Sequence, residues 1–72
     1  MKTTPHLKRM IEKAIGIPNI KIIKSDMTPL LGTITGLSND SISFKINGGG
    51  VEIFNLETEI FQIKLWRRGS WK

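Results

Sequence analysis

Gly32 and Gly36 interrupt a run, Leu30 to Leu37, that otherwise reads as a β-strand. A glycine inside a strand offers no side chain to pack and marks a bend, a bulge or a close approach by another backbone. Two of them in one short run require a strand that curves hard around something small. The chain has 72 residues and so encloses one small core, burying only about 60% of the surface its unfolded form exposes. It has no cysteine to staple that core, and a single histidine, His6, leaves no Cys/His metal cage. The remaining way to support so small a domain is a partner subunit, so a homo-oligomer is expected.

The rest of the chain arranges itself around the curved strand. Upstream, Thr4 can cap a helix, Pro5 suits the first helical position, and Gly16 with Pro18 stops it. Between those signals Leu7, Met10, Ile11, Ala14 and Ile15 recur at helical spacing. They predict an amphipathic helix over about 5–15, with Leu7, Met10, Ile11 and Ile15 plugging one end of the body. After Pro18 the apolar period becomes two and β-branched residues take over. Ile20 to Lys24 reads as a strand, Asp26 to Pro29 as a turn, and Leu30 to Leu37 as the curved strand. Ser38 to Ser41 carries turn chemistry, and Ile42, Phe44 and Ile46 then alternate with polar residues. Asn47 to Gly50 reads as a hairpin loop, Val51 to Leu56 as a fourth strand, and Asn55 to Glu59 as a tight corner. A final strand from Ile60 to Trp66 would set Phe61, Ile63 and Leu65 on one face and Ile60, Gln62, Lys64 and Trp66 on the other.

The expected fold class is mainly β, an N-terminal α-helix followed by a five-stranded, strongly bent antiparallel small barrel of SH3-like build. Residues 1–66 form its single domain and 67–72 a basic C-terminal tail.

The net charge of +5 conceals a segregation. Residues 1–24 hold six basic side chains against Glu12, and residues 25–62 hold Lys45 against Asp26, Asp40, Glu52, Glu57 and Glu59. The last ten residues add Lys64, Arg67, Arg68 and Lys72. Basic ends that meet would make one phosphate-attracting face. The longest apolar runs are pairs such as Ile22-Ile23, far short of a membrane span or a signal-peptide core, so a cytoplasmic protein without membrane contact is expected.

In the order and spacing of residues 4 to 66 the chain resembles the Sm and Sm-like family of small barrels. The matching features are the helix opening at Pro5, the strand Ile20-x-Ile22-Ile23-Lys24, the bent strand Leu30-x-Gly32-x-Ile34-x-x-Leu37, and the following run to Phe44. The resemblance implies RNA binding and assembly into homo-oligomers, rings among them, in which the last strand of one subunit pairs with the fourth of the next. Two departures stand out. Ser38 occupies a place where the family tends to carry Asp, and the corner Asn55-Leu56-Glu57-Thr58-Glu59 lacks the Arg-Gly pair that helps the family clamp a base. The stretch from Gly32 to Leu65 also resembles the C-terminal barrel of bacterial ribosome maturation factors.

Chemistry-bearing residues concentrate at the C-terminal end. Trp66-Arg67-Arg68-Gly69-Ser70-Trp71-Lys72 interleaves basic and aromatic side chains, the combination that pairs phosphates and stacks unpaired bases. One stacked base contributes about 1 to 3 kcal/mol. The nucleic-acid-binding residues expected are Lys64, Trp66, Arg67, Arg68 and Trp71, with Asn39 in the first hairpin loop and Lys8, Arg9 and Lys13 of the helix on the same face. Subunit-interface residues are expected at Val51, Ile53, Ile60 and Gln62, because apolar residues on both faces of an edge strand mark a contact surface. The glycine run 48–50 lacks the lysine and helix of a phosphate loop. The carboxylates read as solvated surface, and no serine or threonine has a base beside it in sequence. No catalytic residue, metal, cofactor or small-molecule substrate is expected. Two readings therefore stand side by side: a non-enzymatic RNA or single-stranded nucleic-acid binding module acting as a homo-oligomer, and a structural barrel that joins protein subunits and touches no nucleic acid.

Overall fold

The computed structural model describes residues 2–67, 70 and 71, with side chains over 2–65. Helix α1 (Pro5–Ala14) is followed by strands β1 (Ile20–Lys24), β2 (Pro29–Ser38), β3 (Ser41–Ile46), β4 (Val51–Asn55) and β5 (Ile60–Lys64). Two short strands, β6 (Trp66–Arg67) and β7 (Ser70–Trp71), pair separately. The main sheet is antiparallel throughout, in the order β4-β3-β2-β1-β5. Mainly β with an N-terminal helix is therefore the observed class.

The helix begins where its cap dictates. Thr4 is extended, its Oγ1 accepts a hydrogen bond from the Leu7 N–H at 3.1 Å, and Pro5 takes the first turn. The buried stripe is Leu7, Ile11 and Ala14, which differs from the expected plug. Met10 lies on the shoulder of the helix, 36% exposed, because only the i, i+4, i+7 line faces the sheet, and Ile15, the C-cap residue with non-helical ψ, lies past the last turn and is 39% exposed. The Gly16 N–H donates to the Ile34 carbonyl at 3.0 Å and ties the end of α1 to β2.

The two glycines of β2 bend the sheet by different means. A Cβ at Gly32 would collide with the backbone carbonyl of Lys45 and stand 3.0 Å from the Phe44 ring, so β3 lies directly against the bare backbone. Beside Gly36 the register slips, with Ile34 opposite Phe44 and Gly36 opposite Ser43. Thr35 is the extra residue of this bulge, and its hydroxyl donates to the Ser43 carbonyl at 3.2 Å. Pro29 opens β2 opposite Ile23, where the expected turn gives way to a strand, since a first residue tolerates the missing N–H.

The curl brings distant strands together without closing them. Lys24 Nζ lies 5.8 Å from the centre of the Phe54 ring, across the open side from β1 to β4. Core residues come from α1, from β1 to β5 and from the corner: Ile20, Ile22, Ile34, Ile42, Phe44, Leu56 and Ile60 are fully buried. The Phe44 and Phe54 rings meet at 6.5 Å and 58°. A closed barrel is not formed, because no ladder joins β4 to β5. Leu56, expected to end β4, instead leaves the strand and drops into the core from the corner.

The last strand is shorter than expected, ending at Lys64, and its faces are rearranged. Gln62 stands opposite Ile23 but Ile60 opposite Lys24, so Phe61 is an inserted residue. The insertion reverses the alternation at one point: Ile60 is wholly buried, Ile63 packs against the core, and Phe61 is 55% exposed.

Candidate subunit edges and nucleic-acid face

The hydrogen-bond phase of the sheet decides which backbone groups remain at its two ends. The Ile46 N–H donates to the Gly50 carbonyl and the Leu56 N–H to the Asp40 carbonyl, which fixes the β3–β4 alternation from both ends. Glu52 and Phe54 therefore turn their backbone groups toward β3, and Val51 and Ile53 turn theirs to the open edge. The same reasoning on β1, anchored by the Lys24 N–H to Thr28 carbonyl bond, directs Gln62 and Lys64 toward β1 and Ile63 outward. The backbone groups of Val51, Ile53 and Ile63 thus turn away from the neighbouring strands at the two ends of the sheet.

Those edges are also apolar. Val51 is 57% and Ile53 71% exposed on β4, and Phe61 is the counterpart on β5. Val51, Ile53 and Gln62, expected at a subunit interface, are exposed on the terminal strands. Ile60, expected among them, has its side chain in the core, because the Phe61 insertion places it inward. Phe61 was hidden from pattern reading, which assigned it to the same face as Ile63.

The acidic corner between the edges is a self-contained structure. Asn55 Oδ1 accepts from the N–H groups of Glu57 and Thr58 at 2.9 and 3.1 Å, and a Glu59 side-chain oxygen accepts from the Asn55 N–H at 3.1 Å. The Glu59 N–H returns to the Asn55 carbonyl at 2.9 Å, and Ser25, just after β1, binds the corner through its N–H to the Glu59 carbonyl and its hydroxyl to the Thr58 carbonyl. Asn55 and Glu59 are occupied in holding this turn, so the corner has a structural task.

Basic side chains gather in two places. Lys21 and Lys64 stand directly opposite each other on β1 and β5, both half-buried. Like charges so placed oppose each other and favour an anion nearby. Lys21 was not among the expected binding residues; the β1–β5 register is what brings it beside Lys64. On the helix, His6, Arg9, Met10 and Lys13 surround a shallow cavity of about 360 Å³. Met10 and Lys13 also line a smaller one of about 100 Å³ with Ala14, Ile17 and Leu65, the residue before β6. The helix thus meets the chain where it enters the C-terminal stretch.

Among the described residues no basic side chain has a carboxylate partner within ion-pair distance. Lys45 Nζ donates to the Gly49 carbonyl at 2.7 Å. Asn39 occupies the β2–β3 turn with φ 53°, a conformation asparagine tolerates. It lies beside Ser38, whereas Lys21 faces Leu31 near the opposite end of β2, so Asn39 and Lys64 are not brought together. Trp66, Arg67 and Trp71 fall in the β6–β7 pair, with Trp66 opposite Trp71 and Arg67 opposite Ser70. Their side chains, and Arg68 as a whole, lie outside the described residues. Asp26, in the β1–β2 turn, has its carboxyl held below the ordinary value of 3.8 by hydrogen bonds from Thr28, first from the side chain and then from the backbone N–H, the latter at 3.0 Å. Among the described residues no three potential metal ligands cluster, and no helix is long and apolar enough to cross a membrane.

Comparison with protein-family models, with curated proteins and with solved structures finds no match to this chain.

Proposed function

We propose that the chain is an Sm-like, non-enzymatic module that assembles with copies of itself through the edges of β4 and β5 and binds RNA or single-stranded nucleic acid on its basic surface. The observation that carries the assembly is the strand order, which leaves β4 and β5 as two apolar edges with outward-turned backbone groups. An exposed apolar edge without a partner is an aggregation hazard, so its presence on a small domain is best explained by a subunit that covers it. Support for nucleic acid comes from the Lys21–Lys64 pair and the basic helix face, which have no carboxylate partner among the described residues, and from the basic and aromatic run that follows Leu65. The cytoplasm is the compartment in which we place it, in keeping with the absence of cysteine.

The test is a titration of a fluorescent single-stranded oligonucleotide across a salt series. Affinity should fall linearly on a log–log plot with a slope of about −0.7 per neutralised phosphate. Charge reversal by Arg67→Glu with Arg68→Glu should weaken binding at every salt concentration. Absence of binding at low salt, or indifference to the reversal, would leave the second reading: a barrel that joins subunits without nucleic acid. The Asn55–Glu59 corner favours that alternative, since its side chains are engaged with their own backbone.

A further inference from the structure

Two features of the sheet's outer surface have no role among the described residues. One is Phe61, pushed out on β5 by the register slip at Ile23/Lys24 and more than half exposed. The other is a hollow of about 200 Å³ at the far end of the sheet, walled by Ile53 of β4 and shaped by Gly36 and Ser43, with Leu37 and Ile42 also lining it. The hollow exists because its side chains are small: a Cβ at Gly36 would come within 3.1 Å of Ser43 Oγ.

We infer that Phe61 of one copy seats in the Gly36–Ser43–Ile53 hollow of the next. The inference rests on the assembly reading above and adds the contact that gives it direction. The edges are complementary in charge: exposed Glu52 is the only charged residue of β4, and Lys64, beside Lys21, is the only charged residue of β5. Laying β5 antiparallel to β4 puts the Lys64 end beside Val51 and Glu52. The same placement puts the Phe61 end beside Ile53 and Asn55, where the hollow lies. A parallel arrangement would put Lys64 next to Asn55 and Phe61 next to Glu52, matching neither. The charges and the aromatic ring thus select one direction, and the selected direction brings ring to hollow.

Light scattering and analytical ultracentrifugation on the intact chain test this, with circular dichroism to confirm that each variant is folded. Phe61→Ala removes the ring and Ser43→Phe fills the hollow; each should raise the dissociation constant of the assembly at least about tenfold. Phe61→Leu, which keeps an apolar knob, should retain most of it. The decisive sample is the mixture. Phe61→Ala keeps a hollow and Ser43→Phe keeps a ring, so together they should form a pair where neither assembles alone. If Ser43→Phe does not fold, Phe61→Ala against Phe61→Leu still decides. A wild-type assembly that survives both substitutions overturns the ring-in-hollow contact and leaves edge pairing standing. A wild-type chain that stays at its monomer mass of 8.1 kDa at every concentration overturns both.

Discussion

The middle of the sheet and its two ends obey different rules. Where β2 meets β3, Ile34, Ile42 and Phe44 are sealed from solvent and Gly32 admits no side chain at all. On β4 and β5 the chain leaves Val51, Ile53 and Phe61 in water. The centre is specified by its own packing to the level of a single methyl group. The ends are apolar without being packed among the described residues, and in the assembly proposed above a second copy would cover them. A small domain can be well determined in the middle and deliberately unfinished at its margins.

The largest effect that would sharpen this contrast compares two phenylalanines. Phe44→Ala should cost about 3–5 kcal/mol by opening a cavity in the core. That is a large share of the roughly 4–11 kcal/mol expected for a chain of this length. Phe61→Ala, followed by urea unfolding in dilute solution, should stay within about 0.5 kcal/mol of the parent. Equal losses would break the comparison. The next effect is read from two glycines. Gly32→Ala should destabilise by about 1–3 kcal/mol, since the obstacle is backbone and cannot swing away. Gly50→Ala meets open space and should raise stability by about 0.4–1 kcal/mol through a less flexible unfolded chain. Thermal midpoints moving in opposite directions are the expected readout.

The smallest effect belongs to the β1–β2 turn. Asp26 has a lowered carboxyl value in the fold, so it contributes stability above the ordinary 3.8 and loses it as pH falls through the lowered value. Asp26→Asn should therefore flatten the acid limb of a plot of thermal midpoint against pH, slightly and only below about pH 4. Curves that stay parallel would contradict the Thr28 hydrogen bonds as its cause.

Much of this architecture was legible from local signals. Thr4 and Pro5 place the start of the helix, alternation places β1 and β3 within a residue, and Gly32 with Gly36 announces the bend. What escaped was whatever depends on a neighbour's register. The period of β5 reads cleanly along the chain, but the insertion at Phe61 exists only relative to β1. Met10 and Ile15 are as apolar as the buried helix residues, and the sheet's position decides that Ala14 is covered and they are not. On the terminal strands Val51, Ile53 and Gln62 are exposed as the sequence suggests, whereas the burial of Ile60 and the placing of Lys21 beside Lys64 depend on the pairing. Open ends escaped for a related reason: a bent sheet and a closed one share the same strands, and only the missing β4–β5 ladder separates them.

The bulge at Thr35 and Gly36 adds to how far the sheet turns from strand to strand. Because the sheet's two margins differ, a pair of copies joined through them as proposed would leave one of each unsatisfied, and growth would continue by the same rotation at every step. Whether copies meet head to tail in a finite cycle or wind into an endless filament is then governed by that angle. One extra residue in one strand would set the symmetry of everything built from the chain.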